Sequence, residues 1–278
     1  MEKKTLNNGV EMPVLGLGTY QSRDLELCQR ICEKALEIGY RHIDTAQIYG
    51  NEEAVGKAVE ASTVPRSEVF ITTKINHKRY EDAYESVLES MKKLRTDYID
   101  LVLLHWPFAN TYKAWRDLER LQAEGAVRAI GVSNFNADRL VDIIGYNKVV
   151  PAVNQVETNL TCQQRECRKW MDRYDVAHES YAPFGQGRMD GIYEDEALVE
   201  IASLYKKTPR QIVLRFLLQE GVICIPKTVH EDRLEENFDV FDFTLGEKEM
   251  ETLRSFDKAS PLIGNPESPE RVLKAMGW

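Results

Sequence analysis

Short, largely apolar runs alternate with stretches of helical periodicity along most of the chain, and this rhythm constrains the fold more than any other feature. Apolar runs of strand length fall at 14–18, 40–44, 69–73, 98–104, 127–132, 152–154, 176–181 and 222–225. Between them the pattern predicts helices over 24–38, 51–61, 81–94, 112–124, 137–144, 163–174, 195–206 and 209–220, with two more over 232–238 and 247–256. In the first of these, Leu27, Ile31, Ala35 and Ile38 share one face, and Gly39 is a natural stop. Strands that are apolar throughout are covered on both faces, and strict alternation with helices means a parallel sheet. Eight such strands without a domain break favour an α/β fold closed into a single (β/α)8 TIM barrel over 1–278. The competing arrangement is a doubly wound sheet. Against it, Gly16-Leu17-Gly18 is only a fragment of the GxGxxG turn that such sheets place after a strand.

The ends carry additions. Asn7-Asn8-Gly9 sits between short apolar stretches and predicts an N-terminal β-hairpin. Residues 182–194 form a longer polar stretch. The tail holds Pro261, Pro266 and Pro269 and is expected to be irregular before a last helix over 270–276. A formal net charge of −9 argues against a nucleic-acid partner, whose protein footprint is usually basic. No apolar run is long enough for a signal or a membrane span, so no membrane partner is expected. The five cysteines contain no CxxC pair; Cys28 and Cys32 lie one helical turn apart, but no His or Cys cluster accompanies them, so no metal site is expected. An odd cysteine count points to a reducing cytoplasm.

The polar residues fall in one kind of place. Asp44, Lys74, His105, Asn134, Gln155, Tyr181 and Lys227 each end a predicted strand. In a barrel those ends share one face, where barrel active sites sit. Asp44, Tyr49, Lys74 and His105 together suit carbonyl reduction. A free tyrosine titrates near ~10 and is a poor acid at neutral pH. A lysine ammonium touching its hydroxyl would lower that value, and Asp44 can keep the lysine charged. A histidine beside the tyrosine can hydrogen-bond a carbonyl oxygen while the tyrosine protonates it. Three plainer readings stand beside this one: a structural Asp44–Lys74 ion pair, a hydrogen-bonded core histidine at 105, and a Schiff-base lysine at 74.

These residues carry a resemblance. Gly39-Tyr40-Arg41-His42-Ile43-Asp44-Thr45-Ala46, then Tyr49-Gly50-Asn51-Glu52 and Val55-Gly56, is similar to the first signature of the aldo-keto reductase family. His105-Trp106-Pro107, the run from Gly125 to Phe135, Val153-Asn154-Gln155-Val156-Glu157, and Ile225-Pro226-Lys227-Thr228 with Arg233 and Glu236-Asn237 match its later motifs in order. The resemblance implies an oxidoreductase on a (β/α)8 barrel that reduces an aldehyde or ketone with NADPH. It implies Tyr49 as the acid, Lys74 and Asp44 as its tuning pair, and His105 as the residue that orients the substrate. It places Ser133, Asn134 and Gln155 on the nicotinamide amide and Tyr181 against the ring. Lys227, Thr228 and Arg233 would hold the 2′-phosphate, and Glu236 and Asn237 the adenine.

Some positions depart from the family pattern. Thr228 stands where serine is common, Asn159-Leu160 replaces a frequent His-Pro, and Tyr20 stands where many members have tryptophan. The segment after His105 and the tail are both short. Tyr20, Trp106, Phe108 and Trp278 are the candidate wall residues for a small carbonyl substrate. A monomer or weak dimer is expected. The alternative function is a non-catalytic barrel that only binds a nicotinamide cofactor; the intact set of four polar residues speaks against it.

Overall fold

The computed structural model describes residues 2–264 and 268–276; Trp278 lies outside the described residues. The hairpin is formed by β1 (Lys3–Thr5) and β2 (Glu11–Pro13), which pair antiparallel. Its turn closes as expected, with Gly9 N–H donating to the Leu6 carbonyl at 2.8 Å and Gly9 at φ +83°. Then come β3 (Leu17–Gly18), α1 (Leu25–Ile38), β4 (His42–Asp44), α2 (Glu52–Ala61), β5 (Phe70–Ile75), α3 (Ala83–Lys93), β6 (Ile99–Leu104), α4 (Thr111–Ala123), β7 (Val127–Ser133) and α5 (Ala137–Tyr146). The chain continues through β8 (Val153–Glu157), α6 (Arg165–Arg173), β9 (Ala177–Tyr181), α7 (Glu196–Tyr205), α8 (Pro209–Gln219) and β10 (Ile223–Cys224). Helices α9 (Glu231–Phe238), α10 (Glu247–Arg254) and α11 (Pro269–Met276) follow.

Strands β3 to β10 form one sheet in sequence order, and each neighbouring pair is parallel. The first and last strands meet. Parallel bridges join Leu15 to Cys224 and Gly18 to Lys227. Gly16 N–H donates to the Cys224 carbonyl at 2.9 Å, and Cys224 N–H donates to Val14 at 2.9 Å. The sheet is therefore closed, which removes its edges and rules out the doubly wound alternative. The predicted first and last strands are longer than the observed ones because seam pairing is reduced to these isolated bridges. Helix α6 starts two residues later than expected, since Gln164 takes a left-handed conformation at φ +55°.

Two apolar layers hold the barrel. Outside the strands, residues such as Leu36, Val55, Val87, Trp115, Leu140, Met171, Leu214 and Leu234 pack helices onto the sheet. Inside, Phe70, Leu101, Leu103, Ala129, Val153, Ala177 and Ile223 fill the lower interior, and Leu6 and Met12 of the hairpin segment join that cluster from below. The hairpin is a plug, so the apolar bottom and the polar strand ends lie at opposite ends of the barrel.

Helix α2 lies close against the end of α3 because it has a glycine there. A Cβ on Gly56 would stand 2.5 Å from the Lys93 carbonyl oxygen and 2.7 Å from Leu94 C. Gly56→Ala thus sets helix propensity, which favours alanine by ~1 kcal/mol, against backbone overlap, which costs ~1–3 kcal/mol. Overlap should dominate. The variant is expected to lose about 1–2 kcal/mol, read as a lower urea midpoint at unchanged m-value; a raised midpoint would show that the helices can separate freely.

Candidate active site

Side chains alternate between the two faces of a strand, so a strand-end residue and the one two positions earlier both face inward. That rule puts Asp44 and His42, Lys74 and Thr72, Gln155 and Val153, and Tyr181 and Glu179 inside the barrel. Lys74 Nζ donates to Asp44 Oδ1 at 2.5 Å and to the Thr45 carbonyl at 2.9 Å. The other Asp44 oxygen accepts from Gln155 Nε2 at 2.8 Å, and the same Nε2 reaches Glu179 Oε2 at 3.0 Å. Asp44, Lys74, Gln155 and Glu179 are all at least 98% buried. Two carboxyl groups thus share one ammonium out of contact with water. Burial pushes Asp44 above its ordinary value, against the pull of Lys74 and Gln155. Glu179 is pushed up to about 8 by burial and by the neighbouring Asp44. Beneath them, His42 is fully buried; burial and the charge of Lys74 hold it down to about 3, so it is a neutral imidazole.

Tyr49 is carried on a short 3₁₀ turn, Gln47–Tyr49, that is fixed from both sides. Gln47 donates to the Ser86 carbonyl at 3.0 Å and accepts from Asn76 N–H at 2.9 Å. Asn51, fully buried, accepts from Thr45 Oγ1 at 2.7 Å and donates to the Thr19 carbonyl at 3.0 Å. Gly50 between them is left-handed at φ +70°. The result sets the Tyr49 ring 5.1 Å from Lys74 Nζ and 5.8 Å, edge-on, from the His105 ring.

Here the electrostatics differ from the sequence expectation. Lys74 gives its hydrogen bonds to Asp44 and Thr45 and none to the tyrosine hydroxyl. Burial holds the Tyr49 phenol well above its ordinary value, and Asp44, Tyr20 and Glu179 add to the rise. The pull of the nearby lysine is outweighed, first by burial and then by the two carboxyl groups. His105 is likewise kept well below its ordinary value by burial and then by Lys74, so it too is neutral.

Tyr49 and His105 open onto a cavity of about 400 Å³ whose wall also includes Tyr20, Trp106, Ser133, Asn134, Gln155, Tyr181, Lys227, Ile263 and Arg271. The polar strand ends are wired together. Asn134 sits at φ +63°, a conformation asparagine tolerates. Its amide donates to the His105 carbonyl at 3.0 Å, and its oxygen accepts from the Tyr181 hydroxyl at 2.8 Å. Ser133 Oγ donates to the Gln155 carbonyl at 2.8 Å. Trp106 is placed by Tyr80, whose hydroxyl accepts from its N–H at 3.0 Å and donates to its carbonyl at 2.8 Å. Phe108 is not on the wall; it is buried and stacks behind Trp106 at 5.6 Å.

At the seam, the Lys227 and Arg233 side chains are exposed and make no ion pair or hydrogen bond among the described residues. Thr228 Oγ1 accepts from His230 N–H at 3.0 Å, just ahead of α9. Asn237 is buried on that helix. Glu236 is engaged elsewhere, accepting from the Thr208 hydroxyl at 2.6 Å.

The sequence profile of the aldo/keto reductase family matches residues 14–258. The chain belongs to that family. It is similar to methylglyoxal reductase DkgA of Escherichia coli (strain K12), 41% identical over 265 residues that cover 94% of this chain and 96% of the relative. Among solved structures it resembles MGS-M4, an aldo-keto reductase from a Medee basin deep-sea metagenome library, with a TM-score of 0.92, 41% identity and 95% and 98% of the two chains covered. It also resembles the aldo-keto reductase AKR2E4 of Bombyx mori in complex with NADP, with a TM-score of 0.89, 33% identity and 95% of each chain covered.

On this reductase barrel two features of the site had no counterpart in the sequence reading. Glu179 is one; the inward period of two from Tyr181 was the signal for it. The other is the way the tail is fastened over the mouth. Glu157, at the end of β8, is 97% buried and accepts backbone N–H bonds from Leu262 at 2.6 Å and Ile263 at 2.9 Å. Helix α11 then lies across the mouth, with the Ala275 carbonyl 3.1 Å from His77 Nε2 and the Arg271 guanidinium 4.0 Å over the Trp106 ring.

The shared ammonium yields a stability prediction. Lys74→Met leaves Asp44 and Glu179 buried without a cation, and breaking such a pair costs about 3–5 kcal/mol. Both acids have raised values in the folded state, so protonation at lower pH removes the unpaired charge. The loss should be largest near pH 8 and shrink towards pH ~5.5. Denaturant titrations of both proteins at the two pH values check this; an equal loss at both would show that the carboxyl groups do not respond.

Proposed function

We propose that the protein reduces a small aldehyde or ketone to an alcohol with NADPH, with Tyr49 as the proton donor. The observation that carries this reading is the neutral Tyr49–His105 pair on the cavity wall, directly above the buried Lys74–Asp44 pair. NADPH supplies a hydride when bound. Ser133, Asn134 and Gln155 offer hydrogen-bonding groups and Tyr181 a ring face at one end of the cavity, while Lys227, Thr228 and Arg233 offer cations and a hydroxyl at the seam. That distribution fits a dinucleotide with an extra phosphate, and Asn237 and Glu236 lie on the helix that follows.

Neutral His105 can donate one N–H to the substrate oxygen and hold its carbon towards the nicotinamide end. As charge builds on that oxygen, Tyr49 gives up its proton. A raised phenol value does not prevent this, because an alkoxide's conjugate acid is about as weak as water (~15.7). It ensures that the donor is loaded throughout the neutral range. Lys74, fixed by Asp44, faces the ring as phenolate forms and stabilises it. Tyr20 and Trp106 wall the site, with Phe108 backing Trp106. The methylglyoxal reductase relationship makes small dicarbonyls the first substrates to try.

Tyr49→Phe keeps the packing and removes the proton. Its kcat should fall ~10²–10⁴-fold with NADPH binding near wild type. Single-turnover NADPH oxidation with methylglyoxal measures this. Retention of more than about a tenth of the rate would show that another group is the acid.

The phosphate site gives a second test. A charge-assisted hydrogen bond contributes about 1.5–3 kcal/mol, so Lys227→Ala or Arg233→Ala should each weaken NADPH about 10- to 100-fold. NADH should lose far less. Dissociation constants from tryptophan quenching decide it; equal losses for both cofactors would remove these residues from the phosphate.

A further inference from the structure

Beside the Lys74–Asp44 pair stands a buried acid that has no task in the proposed reduction. Glu179 has no exposed surface and faces Gln155 in the β8–β9 register. A single amide nitrogen, Gln155 Nε2, lies 2.8 Å from Asp44 Oδ2 and 3.0 Å from Glu179 Oε2. With both N–H groups so used, the amide oxygen is the polar atom that Gln155 has left for a ligand. Glu179 Oε1 has no hydrogen-bond partner among the described residues. A proton added there breaks no existing bond. The groups facing Glu179 are Asp44 and His42 from β4, with His42 Nε2 at 3.8 Å, Lys74 from β5, Tyr49 from the turn, and the Cys224 thiol from β10. His42 is neutral and Tyr49 and Cys224 are raised, so Lys74 is the only cation. The charge of this cluster is therefore zero when Glu179 carries a proton and negative when it does not.

We propose that Glu179 is a positioning residue that acts through Gln155, fixing which way its amide faces, and that it switches the charge below the nicotinamide: protonated under the neutral reduced ring, ionised under the cationic oxidised ring. The inference rests on the placement of the nicotinamide at Gln155 given above. Its chemistry needs only a proton exchanged with solvent. NADP⁺ and NADPH share the 2′-phosphate, the pyrophosphate and the adenine, so their affinity ratio isolates the ring charge. An ionised Glu179 favours the cationic ring, and by linkage NADP⁺ binding expels the proton. The raised position of Glu179 puts this exchange in a reachable range, about 8.

The test is the ratio of NADP⁺ to NADPH affinity, by tryptophan quenching, between about pH 6 and pH 9.5. In the wild type NADP⁺ should gain on NADPH about three- to tenfold as pH rises, the scale of one charge–charge interaction at an effective dielectric near 20. Glu179→Gln has the shape of the protonated acid and cannot ionise. It should bind NADPH within about twofold of wild type at the low end, where Glu179 is protonated, and show a flat ratio throughout. A flat ratio in the wild type, or the same slope in Glu179→Gln, overturns the proposal. Calorimetry on the wild type at about pH 8, in two buffers of different ionisation enthalpy, gives an answer that needs no variant. NADP⁺ should release more protons than NADPH, and equal numbers overturn the proposal. Failure to bind either cofactor would refute the reductase reading itself, and this inference with it.

Discussion

The upper half of the barrel depends on the contact between Lys74 and Asp44. A lysine with no exposed surface inside a closed sheet survives as an ammonium only beside a counter-charge, since the desolvation of an isolated ion would amount to several kcal/mol. That contact in turn fixes its neighbours. Thr45 supplies a second acceptor, Gln155 takes the other Asp44 oxygen, and Glu179 takes the second N–H of Gln155. The polar interior is therefore one connected network, in which removing any member leaves a buried partner unsatisfied. The apolar lower interior has no such demands, and plain packing by Phe70, Leu101, Leu103 and the hairpin residues suffices there.

Much of this was legible in the sequence, and the limits have physical causes. Strand count, parallel order and the polar strand ends follow from the repeated switch between runs that face two covered sides and helices with one apolar stripe. Closure was a preference that only the Leu15–Cys224 and Gly18–Lys227 bridges decide, because a parallel strand looks the same in an open sheet and a closed one. Boundaries at the seam were too generous, since pairing there is reduced to isolated bridges that hydrophobicity does not record. Phe108 is an apolar wall candidate by sequence; the stacking that turns it behind Trp106 is a tertiary outcome. The sign of the Tyr49 shift was misjudged for a related reason. A lysine near a tyrosine lowers its value in isolation, but the sum over Asp44, Glu179 and burial reverses it, and Glu179 was not counted.

Glu179 and Arg271 show two different ways for a sequence to conceal a site residue. Glu179 obeys the inward alternation of its strand and could have been found by counting back two from Tyr181. Arg271 could not. Its helix follows a proline-rich segment and comes back over the mouth from the far end of the chain, so only the packing of α11 on His77 and Trp106 brings it to the cavity. The polar residues stand at the strand ends, while part of the wall is drawn from distant segments.

The Glu157 clamp has a consequence for how such a protein can diversify. It grips the tail through the N–H groups of Leu262 and Ile263, and a main-chain donor is the same whatever side chain follows it. The attachment point is thus indifferent to the spelling of the segment it holds. Side chains beyond it can be exchanged while the anchor and the buried Lys74–Asp44 floor keep their geometry. Wall and floor are built on separable stretches of chain, joined by a carboxylate that holds the tail by its main chain.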